Sequence, residues 1–453
     1  MNEELEKYYQ ILTECFEQRK FADLRITLLD MEPYDIAVFM EEHLSEKDQL
    51  MFFRLLPKEL ASDVFIEIDS DVQEYLIKAF TDKELKAVID DMFLDDTVDV
   101  IEEMPANVVK RILKNSDPDN RKQINELLKY PDDSAGSLMT TEYTSFSASS
   151  TVEQAFEKIA RTGQNKETIY TCYVTDSRKH LIGVVTVKDL LFAKKDDLIE
   201  NVMDPSVITV DTLEDKEEVA KKFSNYGFIA LPVIDNEGCL VGIVTVDDAV
   251  EVIQEEATED IQKMAAIVPT EKPYLKQSVF SIWKARLPWL VLLMITSTFT
   301  SIIISGYESK LSPVLYAFVP MLMGTAGNAG GQSSVTIIRA LALGEVEPSD
   351  FFRVALKELL ASVLLGLTIA VVCFAKLMLL DRLYDPSITI DVSAVISAVC
   401  FISIVLAKLV GCLLPILAKV IKLDPAVVAS PVMTTIVDAL SLIIYCTIAI
   451  AIL

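Results

Sequence analysis

A single carboxylate, Asp438, lies midway along an otherwise apolar stretch near the end of the chain. A charged side chain in an apolar segment of membrane length is costly and usually functional. Asp438 therefore needs an intramembrane partner, a proton or a passing cation. Thr434 and Thr435 precede it, and Pro431 leaves a backbone carbonyl free to face a pore. Lys408, in the preceding apolar stretch, offers the alternative of a buried salt bridge.

The chemistry available at Asp438 suits a divalent cation of the magnesium or calcium type. Carboxylate oxygens and water are the natural ligands of these ions, and magnesium retains much of its hydration shell. One aspartate can therefore recognise the hydrated ion without a full protein cage. Asp424, directly before Pro425, is either a helix N-cap or part of a pore mouth, and the two roles are compatible. The only two histidines, His43 and His180, argue against a His-rich zinc or copper site.

These residues have to be positioned by membrane-spanning helices, each of which needs about 20 apolar residues. We predict five spans, at 287–304, 312–342 with a break, 355–380, 392–420 and 427–452. Glycine is dense enough in the second span to be expected to interrupt or loosen the helix, and polar residues accompany it. The residues concerned are Pro320, Gly324, Gly327, Asn328, Gly330 and Gln332. Irregular backbone at membrane depth lines protein or a water-filled cavity, so a pore is favoured over close packing through small residues.

The charge of the chain separates it into two parts. Its formal net charge over 453 residues is −27, and almost all of the negative excess lies before about residue 280. Such an acidic part suits cations and is unsuited to nucleic acid or an anionic lipid surface. The N-terminus has no apolar run and is not expected to be a signal peptide, and the seven scattered cysteines indicate reduced thiols. Basic residues beside the spans favour cytoplasmic N-terminal domains and an external C-terminus.

The acidic part contains two sequence patterns. Residues 1–130 have apolar residues at spacings of three and four after acidic or proline helix starts, which predicts a superhelical stack of short helices. Residues 136–253 contain a repeat in which Gly183 and Gly242 each open a strand that runs into a helix. This repeat resembles a tandem pair of CBS domains, α/β regulatory modules that often bind adenosine nucleotides or ions. Dimerisation alone is the alternative role.

The membrane motifs and the order of the domains resemble the MgtE-type bacterial magnesium channels over essentially the full chain. The motif residues are Pro320, Gly324, Gly327, Asn328, Gly330 and Gln332, then Asp424-Pro425-Ala426 and Pro431 to Asp438. The resemblance implies a multidomain fold. Its parts are a helical N domain at 1–130, a CBS pair at 136–253, a connecting, plug-like helix at 254–284 and an all-α transmembrane domain of five helices at 285–453.

The resemblance also implies how the protein works. It implies a homodimer with a pore between the subunits, in which Asp438 holds hydrated Mg²⁺ and Asp424 lies nearer the cytoplasmic end. Cytosolic Mg²⁺ bound between the cytoplasmic domains would close this pore. The positions matching such regulatory carboxylates are Asp91, Asp95, Asp215, Glu217, Asp248, Glu251, Glu256, Glu259 and Asp260. Gly227 stands where the family often has an acidic residue, which implies a weaker or missing sensor site.

We therefore predict a multi-pass protein of the inner or plasma membrane that imports Mg²⁺ and closes when cytosolic Mg²⁺ is high, with ATP as a further ligand of the CBS pair. A proton-coupled transporter, or one with broader selectivity for manganese, cobalt or calcium, is the alternative within the transport class. A membrane-anchored, nucleotide-sensing scaffold is the alternative outside it and would need no pore. Catalysis is not expected, because the sequence offers no Ser-His, Cys-His or P-loop arrangement.

Overall fold

The computed structural model describes residues 3–270, 272–307, 311–429 and 431–452, and the chain divides into two units, Met1–Ile253 and Gln254–Leu453. Short helices make up the beginning of the first unit. They are α1 (Glu3–Glu17), α2 (Phe21–Leu29), α3 (Pro33–His43), α4 (Glu46–Phe53), α5 (Lys58–Ile66), α6 (Ser70–Ala79), α7 (Asp82–Ile89), α8 (Leu94–Glu103), α9 (Ala106–Asn115) and α10 (Pro118–Leu127).

These helices begin where the sequence places caps and prolines. Pro33 opens α3, and Thr81 caps α7 through a reciprocal pair of hydrogen bonds with Glu84. Each helix buries one apolar face, as at Phe39 and Phe52, whose rings contact each other. The predicted stack of short helices is confirmed.

The repeat at 136–253 folds into two small α/β halves. The first contains α11 (Ala135–Leu138), β1 (Ser145–Ser147), α12 (Val152–Thr162), β2 (Thr171–Thr175), β3 (Leu181–Thr186) and α13 (Val187–Phe192). The second contains α14 (Ile199–Val202), β4 (Val210–Asp211), α15 (Lys216–Tyr226), β5 (Ala230–Ile234), β6 (Leu240–Thr245) and α16 (Val246–Met264). In each half the first strand pairs parallel with the second, and the second pairs antiparallel with the third.

The repeated glycines lie where the two halves exchange segments. A side chain on Gly242 would meet Met139 Sδ at 2.7 Å, and one on Gly183 would meet Asp204 O at 3.1 Å. Met139 lies in the lead segment of the first half, after α11, and Asp204 lies in that of the second half, after α14, so the lead segment of each half contacts the other half. The glycine of the motif is therefore required by a close approach of backbone and methionine.

The second unit is helical. After α16 ends at Met264 and a 3₁₀ turn at Tyr274–Lys276, it contains α17 (Val279–Tyr307), α18 (Pro313–Tyr316), α19 (Val319–Ala342), α20 (Phe351–Lys376), α21 (Arg382–Tyr384), α22 (Ile390–Val420), α23 (Pro425–Ala429) and α24 (Pro431–Ile452). A π-helical turn, Leu377–Asp381, joins α20 to α21. The central helix is α22, which packs against α19, α20 and α24.

Four described helical stretches are long and apolar enough to cross a membrane, at Val279–Tyr307, Pro348–Tyr384, Ile390–Val420 and Val432–Ile452. The remaining predicted span corresponds to α19. It has 24 residues and is about 36 Å long at 1.5 Å per residue, but its glycines and polar residues make it less apolar. The helical membrane region is confirmed, and membrane crossing by α19 stays a prediction.

The structure differs from two expectations about helix continuity. The glycine-rich stretch does not interrupt its helix, since α19 is helical from Val319 to Ala342 and the break lies before it, at 317–318. The connecting helix does not occupy 254–284, because it begins at Val246 and ends at Met264. Pro269 and Pro273 follow and cannot continue a helix, and α17 then begins at Val279, before the predicted start of the membrane region.

Candidate ion-binding sites

Asp438 lies on a partly buried face of α24, one turn after Thr434. The neighbouring Thr435 Oγ1 donates a hydrogen bond to Thr296 Oγ1 on α17, at 3.4 Å. Val437, next to Asp438, is buried among residues of α19 and α22. Within the described part of the chain, Asp438 has no ion-pair partner. Pro431 is the first residue of α24, and its side chain lies outside the described atoms.

Lys408, the alternative partner for Asp438, is engaged elsewhere. Its Nζ lies 2.6 Å from Glu358 Oε1 on α20 and 2.8 Å from Ser333 Oγ on α19. The salt bridge that would neutralise Asp438 is therefore formed with Glu358. The sequence interpretation missed Glu358. A carboxylate within an otherwise apolar run was the available signal, and it was the same signal that had identified Asp438.

The glycine-rich helix α19 has one packed face and one open face. Gly330 is buried against α22 and α24, where a side chain would lie 3.0 Å from Ala407 O and 2.8 Å from Met433 Sδ. Gly324, Asn328 and Gln332, spaced by four residues, are exposed on another face. Gly330 therefore serves close packing, and the exposed face carries the polar residues predicted to line a pore. Pro320 lies in the first turn of α19.

Asp424 caps a helix and also pairs with a cation. Its Oδ1 accepts a hydrogen bond from the backbone N of Ala426 at 2.8 Å, and its Oδ2 lies 2.8 Å from Lys263 Nζ near the end of α16. Lys263 Nζ also lies 2.7 Å from Glu259 Oε1. Burial alone would lower the pKa of the Lys263 ammonium group. The hydrogen bonds to Asp424 and Glu259 outweigh the effect of burial, so the pKa is raised. Lys263 therefore stays charged at this position.

The predicted regulatory residue Asp95 belongs to a larger acidic cluster in the first unit. Asp96 and Asp99 lie beside it on α8. The charge of Asp248, in the first turn of α16, acts on both of them, and that of Asp247 acts on Asp96. We call Asp95, Asp96, Asp99, Glu167, Asp247 and Asp248 the α8–α16 acidic cluster. The sequence interpretation missed Asp96, Asp99, Glu167 and Asp247, because only the fold brings residues so distant in the chain together.

Burial and mutual repulsion make this cluster hard to ionise. Burial, and then repulsion by Asp248, raises the pKa of Asp96 to about 7 and that of Asp99 to about 8. Burial raises the pKa of Asp248 to about 6, although Thr245 donates hydrogen bonds to its carboxylate. The pKa of Asp95 is raised well above its ordinary value, and its buried Oδ1 has no hydrogen-bond partner among the described residues. A cation would relieve this repulsion.

The cluster is not a preformed metal cage. Across the residues that the structure describes, no group of three or more His, Cys, Asp or Glu side chains is arranged to hold a metal ion directly. Mg²⁺ commonly keeps several water ligands when it binds to carboxylates, so it does not require such a cage.

The other predicted regulatory residues are placed differently. Asp215 caps α15 by accepting from Glu217 N at 2.9 Å, and Glu217 pairs with Lys221 at 2.9 Å. Gly227 ends α15 at φ +67°, a left-handed conformation that favours glycine, which gives a structural reason for its presence. The charge of Glu251 contributes to raising the pKa of Asp99.

Three more predicted carboxylates follow along the same element, and one lies apart from it. Glu256, Glu259 and Asp260 lie on α16 beyond the first unit. Asp91 lies near Asp63 on α5, whose pKa is raised by burial and then by the charge of Asp91. The structure therefore divides the predicted regulatory residues between the α8–α16 acidic cluster, the end of α16 and isolated positions.

A helical membrane region with an intramembrane carboxylate, in one chain with a CBS pair, defines a membrane transport protein with regulatory domains. Family models match in the same order. They are a divalent cation transporter domain at 319–448, an MgtE intracellular N domain at 31–133 and CBS domains at 135–196 and 199–255. The chain belongs to the MgtE family of magnesium transporters.

Relatives match over almost their whole lengths. The chain is 36% identical to the magnesium transporter MgtE of Thermus thermophilus, with 98% of each chain covered. It is 33% identical to the MgtE of Enterococcus faecalis, covering 99% of this chain and 98% of that one. The MgtE of Bacillus subtilis is 31% identical, with 95% and 94% covered.

Solved structures match a little over half of the chain. The soluble part of a magnesium transporter aligns with a TM-score of 0.53 and 31% identity, over 56% of this chain and 99% of that one. The cytosolic domain of the Mg²⁺ channel MgtE in complex with ATP aligns with a TM-score of 0.51 and 34% identity, over 53% and 98%.

Proposed function

We propose that this chain carries Mg²⁺ across the cell membrane through a channel that includes Asp438, and that cytosolic Mg²⁺ closes it. The observation that carries the proposal is that Asp438 has no ion-pair partner among the described residues, while Lys408 is bound to Glu358. An uncompensated carboxylate in a membrane-spanning helix costs several kcal/mol, and a permeating cation offsets that cost. The names of the relatives and the divalent cation transporter domain support magnesium as the cargo.

The exposed polar face of α19 supports a pore between two subunits. Gly324, Asn328 and Gln332 would face lipid in a monomer, which is unfavourable for the two amide side chains. A second copy of the chain would place this face beside an aqueous path instead. Asp438, Thr434 and the neighbouring Thr435 are partly exposed on α24, which packs on α19 and could border the same path. We therefore propose a homodimer, with the N-terminal domains in the cytoplasm and the C-terminus outside.

The α8–α16 acidic cluster supports closure by cytosolic Mg²⁺. Mg²⁺ bound there through water would neutralise the repulsion and hold α8 against the start of α16. The same helix carries Lys263 in its last turn. Lys263 pairs with Asp424, the carboxylate predicted at the cytoplasmic pore mouth. We propose that the ordered α16 keeps this ammonium group on Asp424, where it opposes the entry of cations.

The CBS pair is proposed to bind ATP. A relative's cytosolic domain, 34% identical and with the same fold, has been solved in complex with ATP. Titration of the purified full-length protein with ATP tests this point, and a lack of saturable binding would leave dimerisation as the role of the pair.

Asp438→Ala tests the transport proposal. In proteoliposomes loaded with a Mg²⁺-sensitive dye, the variant should abolish or strongly reduce Mg²⁺ influx while remaining as stable and as dimeric as the wild type, because it removes a charge that no described side chain compensates. Asp391→Ala, which removes an exposed carboxylate at the start of α22, is the matched control and should transport normally. Normal flux through Asp438→Ala would contradict the proposal. Flux that depends on a proton gradient would favour the coupled transporter, and equal flux of manganese, cobalt or calcium would favour broader selectivity.

A further inference from the structure

Three polar side chains from three helices meet inside the helical unit. Lys408 Nζ on α22 donates to Glu358 Oε1 on α20 at 2.6 Å and to Ser333 Oγ on α19 at 2.8 Å. Ser333 Oγ donates to the same Glu358 oxygen, which closes a triangle. The side chain of Lys408 is 7% exposed and that of Glu358 is 20% exposed. We call these three residues the Lys408 clamp.

Stability alone is a weak reason for such a clamp. The desolvation of two buried charges largely cancels their attraction, and apolar side chains of similar size are often as stabilising. What a buried charged triangle supplies is a defined geometry, because each partner has to meet the others at hydrogen-bond distance. The clamp therefore fixes α19, α20 and α22 in one relative register.

The clamp adjoins a close crossing of α19 and α22. Ser333 lies one turn after Gly330 on α19, and Lys408 lies between Ala407 and Gly411 on α22. A side chain on Gly330 would approach Ala407 O to 3.0 Å, and one on Gly411 would collide with Gly330 O. The two backbones touch at this point, so a change at the clamp is transmitted to the crossing.

The same crossing supports the helix that carries Asp438. Met433 Sδ packs on Gly330, and Met433 and Val437 are buried together with Ala326 and Ala407. Asp438 directly follows Val437. The position of its carboxylate is therefore determined by the register of α19 against α22.

We propose that the Lys408 clamp is a positioning device for the pore carboxylate. Ser333, Glu358 and Lys408 hold α19 and α22 so that Met433 and Val437 place Asp438 where it meets the permeating ion. This rests on the proposed function of Asp438 and adds residues that do not themselves have to touch the ion. Loss of the clamp should weaken the interaction with Mg²⁺ even where the fold survives.

The test compares the single variant Lys408→Met with the double variant Lys408→Met/Glu358→Gln. Mg²⁺ flux into proteoliposomes is measured against external Mg²⁺ concentration, together with the thermal unfolding midpoint in detergent. The single variant strands a buried carboxylate and should lose stability and flux. The double variant should regain stability, yet its half-saturating Mg²⁺ concentration should stay raised by about tenfold or more, because a misplacement of about 1 Å can cost about 100-fold in an aligned site.

Ser333→Ala provides a variant that leaves both charges in place. It should unfold like the wild type and still raise the half-saturating Mg²⁺ concentration. The control is Lys376→Met/Asp381→Asn, which removes a lysine–carboxylate pair, 2.8 Å long, between the last residue of α20 and the π-helical turn that follows it, and should leave half-saturation unchanged. Wild-type transport in both the double variant and Ser333→Ala would overturn the proposal. Wild-type flux that is insensitive to Asp438→Ala would instead refute the pore assignment on which the proposal rests.

Discussion

At the scale of single residues, carboxylates in this protein differ in what neutralises them. Glu358 forms an ion pair with a lysine. Asp424 forms an ion pair with a lysine and accepts a hydrogen bond from a backbone amide, and Asp438 has no ion-pair partner among the described residues. Asp96 and Asp99 have mainly other carboxylates as neighbours. The charge of Asp96 and Asp99 is therefore expected to be neutralised by a proton or by a metal ion. Protons and metal ions should compete for these carboxylates.

The competition predicts a pH dependence of stability. The pKa of Asp96 is raised from an ordinary 3.8 to about 7 and that of Asp99 to about 8, so between about pH 4 and 8 the folded protein binds more protons than the unfolded chain. In EDTA, the thermal unfolding midpoint of the full-length protein should therefore fall as pH rises through this range. Mg²⁺ should stabilise the ionised carboxylates, so in its presence the unfolding midpoint should change less with pH.

Two variants control this prediction. Asp99→Asn removes the carboxyl group with the higher pKa of the two, so in EDTA the unfolding midpoint should change less with pH. Asp196→Asn, at an exposed position of the same unit, should leave this pH dependence unchanged. A slope that is the same in the wild type and in Asp99→Asn would show that the α8–α16 acidic cluster does not govern the pH dependence.

At the scale of elements, α19 shows why glycine content alone does not define a helix break. The glycine-rich α19 stays helical throughout, and Gly330 allows α19 and α22 to touch. A side chain on Gly324 or Gly327 would meet no atom within 4 Å in the described chain. The glycines of this motif therefore lie on different faces of α19, of which one is packed and one is open.

Substitutions along α19 should separate these roles. Gly330→Ala should destabilise the protein by about 1–3 kcal/mol, because the added methyl overpacks Met433 and Ala407. Gly327→Ala is the matched control and should unfold at or above the wild-type temperature, since alanine is the better helix former by up to about 1 kcal/mol. Thermal unfolding of both variants in the same detergent checks this, and equal midpoints would contradict the packing role of Gly330.

At the scale of the whole molecule, a net charge of −27 makes the chain responsive to cations. The α8–α16 acidic cluster involves the first turn of α16, and the last turn of the same helix holds Lys263 on Asp424. One continuous helix therefore joins the proposed Mg²⁺ sensor to the proposed pore mouth. On this proposal closure needs both ends of α16, so regulation should be separable from transport.

Neutralising either end should leave the channel open. Asp96→Asn/Asp99→Asn/Asp248→Asn removes the proposed Mg²⁺ sensor but leaves an amide oxygen at position 248 that can accept the hydrogen bonds of Thr245, and it should conduct at cytosolic-side Mg²⁺ levels that close the wild type. Lys263→Gln should do the same by releasing Asp424. Flux into proteoliposomes with controlled internal Mg²⁺ is the measurement, and Lys222→Gln, which breaks a pair with Glu214, is the control. Normal closure in the triple variant would place the sensor elsewhere.

The sequence alone determined the features that depend on local pattern. Apolar runs of membrane length, the repeated glycine motif of the CBS pair and the position of Asp438 within a span all follow from spacing along the chain, and the helical N domain follows from caps and periodicity. The tertiary structure decided which charges meet. Lys408 bonds with Glu358 and Ser333, which lie 50 and 75 residues away, and the α8–α16 acidic cluster joins residues from 95 to 248. Such pairs depend on how helices pack, and periodicity identifies a buried face without identifying its partner.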